Sequence, residues 1–134
     1  MRNPAARTIA LVGVLSVVLG SCAAEPATIE ADIEPQDPQL VAAGEELYTS
    51  NCAECHGDDL RGTDAGPAHL SEVYVPSHHS DGAFLVAVRA GSPQHHWDFG
   101  AMPPVEGLTD SDVEAIVAFV RERQRTEGFE SYPP

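Results

Sequence analysis

Residues 51–57 constrain this chain more than any other stretch, because they contain the pattern C-x-x-C-H at Cys52, Cys55 and His56. This pattern is the attachment signature of c-type haem. Two thiols three positions apart lie on one turn of backbone, so each can form a thioether bond with one vinyl group of a porphyrin. The adjacent histidine can then supply an axial nitrogen to the iron. Gly57 has no Cβ, which lets the chain turn away close to the macrocycle.

Two other kinds of site also use a pair of cysteines at this spacing. A thioredoxin-like dithiol usually lies at a strand-to-helix junction of a βαβ pattern, and no such pattern surrounds Cys52 and Cys55. A cysteine-rich zinc site needs a second ligand pair of similar quality, and the only other cysteine is Cys22. Haem attachment is therefore the favoured interpretation.

Residues 1–21 have the pattern of an export signal. Arg2 and Arg7 form its positive start, and the apolar run at residues 9–19 is too short for a comfortable membrane-spanning helix. The run ends in Leu-Gly-Ser-Cys, which resembles the lipobox of bacterial lipoproteins. That resemblance implies cleavage before Cys22, lipid attachment to its thiol and anchoring in the bacterial cell envelope. An ordinary secretory signal that leaves Cys22 free is the alternative.

The charge balance is strongly acidic. The formal net charge is −14 at pH 7, with 21 acidic residues, seven arginines and no lysine. Such a surface excludes binding to nucleic acid or to an anionic membrane face. It favours a redox partner with a basic docking surface, although a merely solvated acidic surface or a saline habitat would have the same composition. Residues 22–38 combine prolines and acids with few apolar side chains, which predicts an extended linker that tethers the domain.

Residues 39–125 contain three segments with helical character. Residues 39–50 repeat apolar side chains at helical spacing around Gly44, which costs about 1 kcal/mol relative to Ala and suggests a close helix crossing. Asp81 is predicted to cap a middle helix that ends at residues 90–91. Thr109 is the predicted N-cap of the last helix, and Asp112 can complete a capping box. Its predicted buried stripe consists of Val113, Ile116, Val117, Phe119 and Val120, and the arginines at its end, Arg121 among them, favour the helix dipole.

The motif L-V-A-A-G-E-E-L-Y-x-x-x-C-A-E-C-H-G, followed by G-P-A-x-L, resembles the small single-haem cytochromes c of class I over residues 39–125. The resemblance implies an all-α fold with three main helices around one covalently bound haem c. It implies that the Pro67 carbonyl accepts a hydrogen bond from His56 Nδ1, and that the last helix crosses the first through Ile116, Phe119 or Val120 against Gly44. His69 is expected at the surface or the haem edge. Residues 126–134 are expected to be a tail without a clear role.

Residues 92–107 resemble the distal loop of the same family, which is marked by Met-Pro. Met102 is thereby the expected sixth ligand of the iron, and a thioether favours the ferrous state. Trp97 is expected to wall the haem pocket. Arg89 is expected either to reach a haem propionate or to remain a solvent-exposed residue at a helix C-terminus. His95 or His96 could replace Met102 as the ligand.

The favoured function is one-electron transfer by a protein that is not itself an enzyme, and the resemblance implies a bacterial respiratory or dehydrogenase-linked chain. Two alternatives remain open at this point. With a labile distal ligand, the protein would be a haem-based sensor or a peroxidase-like enzyme. As a copper-handling module it would use its two histidine pairs, residues 78–79 and 95–96.

Overall fold

The computed structural model describes residues 33–131 and has the all-α architecture that the sequence predicts. Its α-helices, in chain order, are Pro38–Asn51 (α1), Ala53–His56 (α2), Asp81–Ala90 (α3) and Asp110–Glu127 (α4), and a short 3-10 helix spans Glu72–Tyr74. The three longer helices are the three main helices expected, and α2 carries the cysteine motif. Within residues 33–131, β-type pairing is confined to isolated bridges.

The crossing of α1 and α4 at Gly44 organises the core. A Cβ built on Gly44 would lie 1.9 Å from the carbonyl oxygen of Ala115 and 3.0 Å from Cβ of Phe119. The close crossing and the contact with Phe119 are confirmed. The other atoms nearest to this Cβ belong to Ala115 and not to Ile116 or Val120. The backbone of α4 itself occupies the space that a side chain at position 44 would need.

The buried stripe of α4 is confirmed in full. Its five predicted members are 7 % exposed or less. They pack with Tyr48 of α1 and with Leu60 and Leu70 from the loop that follows α2. The core therefore joins α1 and α4 to the loop on which the cysteine motif depends.

The predicted N-cap residue is confirmed for α4 and wrong for α3. At α4, Thr109 Oγ1 accepts from the Asp112 amide at 3.2 Å, and Asp112 Oδ2 accepts from the Thr109 amide at 2.7 Å, which confirms the capping box. At α3 the predicted cap Asp81 is wrong by one residue. Ser80 occupies the N-cap position with extended backbone, and the Asp81 carboxylate instead accepts from Arg121 Nε at 2.7 Å.

The C-terminal segment is part of the packed structure. Helix α4 runs past Arg125 as far as Glu127, and the amide of Glu130 donates to the carbonyl of Leu70 at 2.6 Å. Arg61 pairs with Glu127 at 3.2 Å and with Glu130 at 2.9 Å. Residues that were expected to have no clear role thus hold the loop between α2 and the 3-10 helix against α4.

The predicted export signal at residues 1–21, Cys22 and most of the linker lie outside the described residues. The end of the linker is described, and there the amide of Gln36 donates to Glu122 Oε2 of α4 at 3.3 Å. Between residues 33 and 131, no helix combines the length and the hydropathy that crossing a membrane requires.

Candidate haem site

The C-x-x-C-H motif lies on a single turn of helix. Cys52 is the N-cap residue of α2, and Cys55 and His56 belong to the helix, which Gly57 ends with φ at 79°. Two backbone contacts hold this turn: Thr63 Oγ1 donates to the Cys55 carbonyl at 2.7 Å and the Gly62 amide donates to the His56 carbonyl at 2.9 Å. Cys55 is exposed and Cys52 is half-buried, so the motif presents one sulfur at the surface and one toward the interior.

The imidazole of His56 is oriented by the Pro67 carbonyl. His56 Nδ1 lies 2.9 Å from that oxygen, and the ring is 8 % exposed. A carbonyl can only accept, so Nδ1 carries the proton and the Nε2 lone pair remains for a metal. Burial lowers the pKa of His56, against a smaller opposite effect of the bond to Pro67, so the ring is neutral at neutral pH. This is the contact that the resemblance implies.

The surroundings of Cys52 argue against a redox dithiol. Burial, with the neighbouring Cys55, raises the pKa of Cys52 to about 11. A redox-active dithiol needs a lowered thiol pKa instead. In the described part of the chain, no cluster of three metal-binding side chains includes either cysteine. Two thiols followed directly by a neutral, oriented imidazole fit haem c better than a redox dithiol or a zinc site.

A buried polar pair lies beside His56 and was missed by sequence reasoning. His69 is 7 % exposed and stacks on the His56 ring, with centroids 4.2 Å apart and planes inclined by 17°. Its Nδ1 lies 3.2 Å from the Tyr48 hydroxyl. The expectation of a surface position is wrong, because the amide of His69 donates to the Leu60 carbonyl at 2.8 Å and Gln124 Nε2 donates to the His69 carbonyl at 2.7 Å, which turn the residue inward. The alternative position at the haem edge stays a prediction. The pKa of His69 is well below its usual value, and burial of the ring is the main cause.

Met102 is fixed by backbone pairing. Its amide and carbonyl exchange two hydrogen bonds of 2.9 Å with Ser92. A Cβ on Gly91 would approach the Met102 carbonyl oxygen to 2.6 Å, so the two segments meet at a glycine. The Val105 amide donates to the Val88 carbonyl at 2.9 Å. Met102 thus closes a loop over residues 93–101 and is held against the end of α3.

The two further residues expected near the cofactor have other described contacts. Arg89 Nη1 donates to the Leu108 carbonyl at 2.6 Å, and its Nε donates to Asp110 at 3.1 Å, so Arg89 links the end of α3 to the start of α4. Trp97 stacks on Tyr74 with centroids 5.9 Å apart and planes inclined by 12°. Their roles toward a propionate and as a pocket wall stay predictions.

Arg121 is a second residue whose place the sequence did not reveal. It was expected only to favour the helix dipole with the other arginines at the end of α4, and its side chain is 3 % exposed. Besides Asp81, it donates to the carbonyl oxygens of Tyr74 and His79. The missed signal is its spacing, because Arg121 lies four residues after Val117 and therefore continues the buried stripe.

Comparison with known proteins places this geometry in a family. The Cytochrome c family model matches residues 41–124. The chain is 32% identical over 113 residues to cytochrome c-551 of Bacillus subtilis, covering 83% of this chain and 89% of that protein.

Subunits of oxidases are also similar. The chain is 49% identical over 95 residues to the cbb3-type cytochrome c oxidase subunit CcoP of Rubrivivax gelatinosus, covering 67% of this chain and 28% of that subunit. It is 35% identical over 88 residues to the subunit FixPc of Rhizobium leguminosarum bv. viciae, covering 64% of this chain and 29% of that subunit. The chain thus spans less than a third of the length of these subunits.

A solved structure supports the fold. The crystal structure of cytochrome cL from Methylophaga aminisulfidivorans aligns with a TM-score of 0.53 and 22% sequence identity, covering 91% of each chain. At this identity the likeness shows the fold alone.

Proposed function

The chain belongs to the cytochrome c family, and from that premise we propose that it carries single electrons on one haem c with His56 and Met102 as axial ligands. Cys52 and Cys55 provide the thioether bonds. When bound, the haem supplies the ferric and ferrous states between which the electron is exchanged.

The observation that carries this proposal is the bond between His56 Nδ1 and the Pro67 carbonyl. It fixes the tautomer and the ring plane, and a bonded Nδ1–H makes Nε2 a stronger ligand. The stacking of His69 engages the face of the ring, whereas coordination uses the lone pair in the ring plane. The two contacts are therefore compatible.

Met102 supports the distal half of the proposal. It is the only methionine in the described residues, and its backbone is pinned to Ser92 on both its amide and its carbonyl. Pro103 and Pro104 follow directly and restrict the backbone further. If His56 and Met102 both ligated the iron of a bound haem, no site would remain open on it, and little would rearrange when the charge of the iron changes. A labile ligand, which the sensor or peroxidase alternative needs, has no comparable support.

The surface around the exposed Cys55 suggests the kind of redox partner. Exposed carboxylates flank it in the sequence, at Glu54, Asp58, Asp59 and Asp64. The one basic side chain of this stretch, Arg61, is paired with acids of the C-terminal segment. A protein with a basic docking surface would meet a nearly uniform negative field here, and electron-transfer contacts of this kind are small and short-lived.

The setting is proposed from the N-terminal sequence and from the relatives. Lipid on Cys22 would anchor the domain in the bacterial cell envelope, with residues 22–38 as a tether. The similarity to subunits of cbb3-type oxidases supports a respiratory chain as the destination of the electrons. Mass spectrometry of the N-terminal peptide, with Cys22→Ala as the unlipidated control, tests the anchor.

The ligand set is tested by the spectra of haem-loaded protein. We expect the mass of one haem per chain and, in the ferric spectrum, the sulfur-to-iron charge-transfer band. Met102→Ala should lose this band, and a His95→Ala/His96→Ala variant should keep it. The opposite pattern would assign the distal position to a histidine. Ferrous protein should bind carbon monoxide slowly; rapid binding would favour the sensor alternative.

A further inference from the structure

The two histidine pairs, which are separate in the sequence, converge on one side of the molecule. His78 and His79 end the segment before α3, and the loop closed by Met102 carries His95 and His96. The His96 ring lies with its centroid 5.1 Å from that of His78 and 5.3 Å from that of His79. The ring of His95 is 4.4 Å from that of His96 and 5.9 Å from that of His79.

The ring nitrogens of this cluster approach metal-binding geometry. One nitrogen from each of His78, His79 and His96 lies within 4.8 Å of the others. His78 Nε2 and His96 Nε2 are 3.1 Å apart. Two imidazole nitrogens on one tetrahedral ion, each bonded at about 2.0–2.1 Å, would be about 3.3 Å apart. This pair is already close to that separation, and the third nitrogen needs to move in by at most about 1.5 Å.

Two rings of the cluster are oriented as metal-binding histidines are. His79 Nδ1 donates to the Val73 carbonyl at 2.7 Å, and His95 Nδ1 donates to the Pro93 carbonyl at 2.7 Å. Each bond fixes the tautomer and leaves Nε2 as the free lone pair, which is the usual arrangement behind a metal ligand.

The backbone under the cluster is held by hydrogen bonds and by a stacking contact. The amides of His78 and His79 both donate to the Val75 carbonyl at 2.9 Å. Arg121 donates to the His79 carbonyl from the core, and Trp97 stacks on Tyr74 beside it. The separation of the two histidine pairs is therefore set by the fold.

The charge of the chain favours a cation at this position, because its formal net charge is −14.

We propose that His78, His79 and His96 bind one divalent transition-metal ion outside the haem site. Imidazole nitrogens suit Cu²⁺ and Zn²⁺, and the order of stabilities of divalent ions makes Cu²⁺ the tighter of the two. His95 lies next to the three ligands as a further imidazole. Because the site joins residues 78–79 to the loop that Met102 closes, the ion would also tie down this loop.

The proposal is tested by titration of the haem-loaded protein with Cu²⁺ and, separately, with Zn²⁺. A His78→Gln/His96→Gln variant removes two exposed ligands, so it should fold normally, and an unchanged haem spectrum checks this. Loss of one outer-sphere partner lowers metal affinity by about 10–100-fold, so loss of two ligands should weaken binding at least about 100-fold. Zn²⁺ should raise the thermal midpoint of the wild type and not that of the variant.

A control separates the cluster from the acidic surface. Glu45→Gln/Glu46→Gln removes two exposed carboxylates from α1 and should leave the affinity within about twofold of the wild type. Electron paramagnetic resonance of the Cu²⁺ complex should show coupling to several nitrogens in the wild type and in this control. An equal affinity of the histidine variant and the wild type, or a Cu²⁺ signal without nitrogen coupling, would overturn the proposal.

Discussion

Replacement of Gly44 by alanine tests the helix crossing on which the fold depends. Helix propensity alone would make Gly44→Ala stabilising by about 1 kcal/mol. The new Cβ, however, would lie 1.9 Å from the Ala115 carbonyl oxygen, and real Cβ atoms essentially never approach within 3.0 Å. Helices α1 and α4 must therefore separate by about 1 Å. A gap of about 0.5–1 Å already removes a quarter to a half of the attractive dispersion energy of each contact between them.

These two effects have opposite signs, and the steric effect is the larger. Overpacking costs about 1–3 kcal/mol and occasionally more. The contact here is with backbone, which cannot rotate away, so we take about 3 kcal/mol and expect a net loss of about 2 kcal/mol after the gain in propensity. For a domain of this size the thermal midpoint should fall by roughly 10 °C.

Denaturant unfolding of the haem-loaded protein measures this loss, and Gly82→Ala is the matched control. Gly82 lies in α3, and the nearest atom to a Cβ there is Ser80 Oγ at 3.9 Å. This variant should gain up to about 1 kcal/mol. If both variants were stabilised by similar amounts, the close crossing at Gly44 would be refuted.

Three further predictions follow from the same contacts. Arg121→Leu should cost about 2–4 kcal/mol of unfolding free energy, because it removes the donor of the His79 carbonyl and leaves the Tyr74 carbonyl with only the long bond of 3.4 Å from Gln124; a loss below about 1 kcal/mol by denaturant titration would contradict this. Thr109→Ala should cost about 1 kcal/mol. Hydrogen bonds from Thr109 lower the pKa of Asp112 in the folded protein. The wild type therefore has extra stability at pH values above the ordinary carboxyl pKa of about 3.9, and it loses this stability as the pH falls through the lowered pKa. Unfolding of the Thr109→Ala variant should depend less on pH in this acidic range. Electron transfer to a basic partner protein should slow as ionic strength rises, and stopped-flow rates independent of salt would exclude the acidic docking surface.

The sequence was sufficient where the structure depends on local pattern. The apolar stripe of α4, the capping box at Thr109 and the need for glycine at position 44 all follow from spacing within one helix or from the steric demand of a single residue. The all-α class with three main helices follows from the same signals and from the family resemblance.

Sequence reasoning failed where a residue's environment is made by distant segments. Arg121 is buried because three backbone and side-chain acceptors from residues 74–81 converge on it. His69 is turned inward by the carbonyl of Leu60 and by Gln124, which comes from the far end of the chain. The spacing of Arg121 after Val117 indicates burial, but no periodicity within either segment records these partners.

The two proposed iron ligands share one property: main-chain groups determine where each of them lies. His56 is oriented by a backbone carbonyl, and Met102 is placed by paired backbone groups of Ser92. Main-chain donors and acceptors are fixed by the path of the chain, so their positions do not depend on the rotamers of neighbouring side chains. The same loop that places Met102 brings His96 to His78 and His79. The metal cluster is thus inferred from the chain path that also positions the proposed distal ligand.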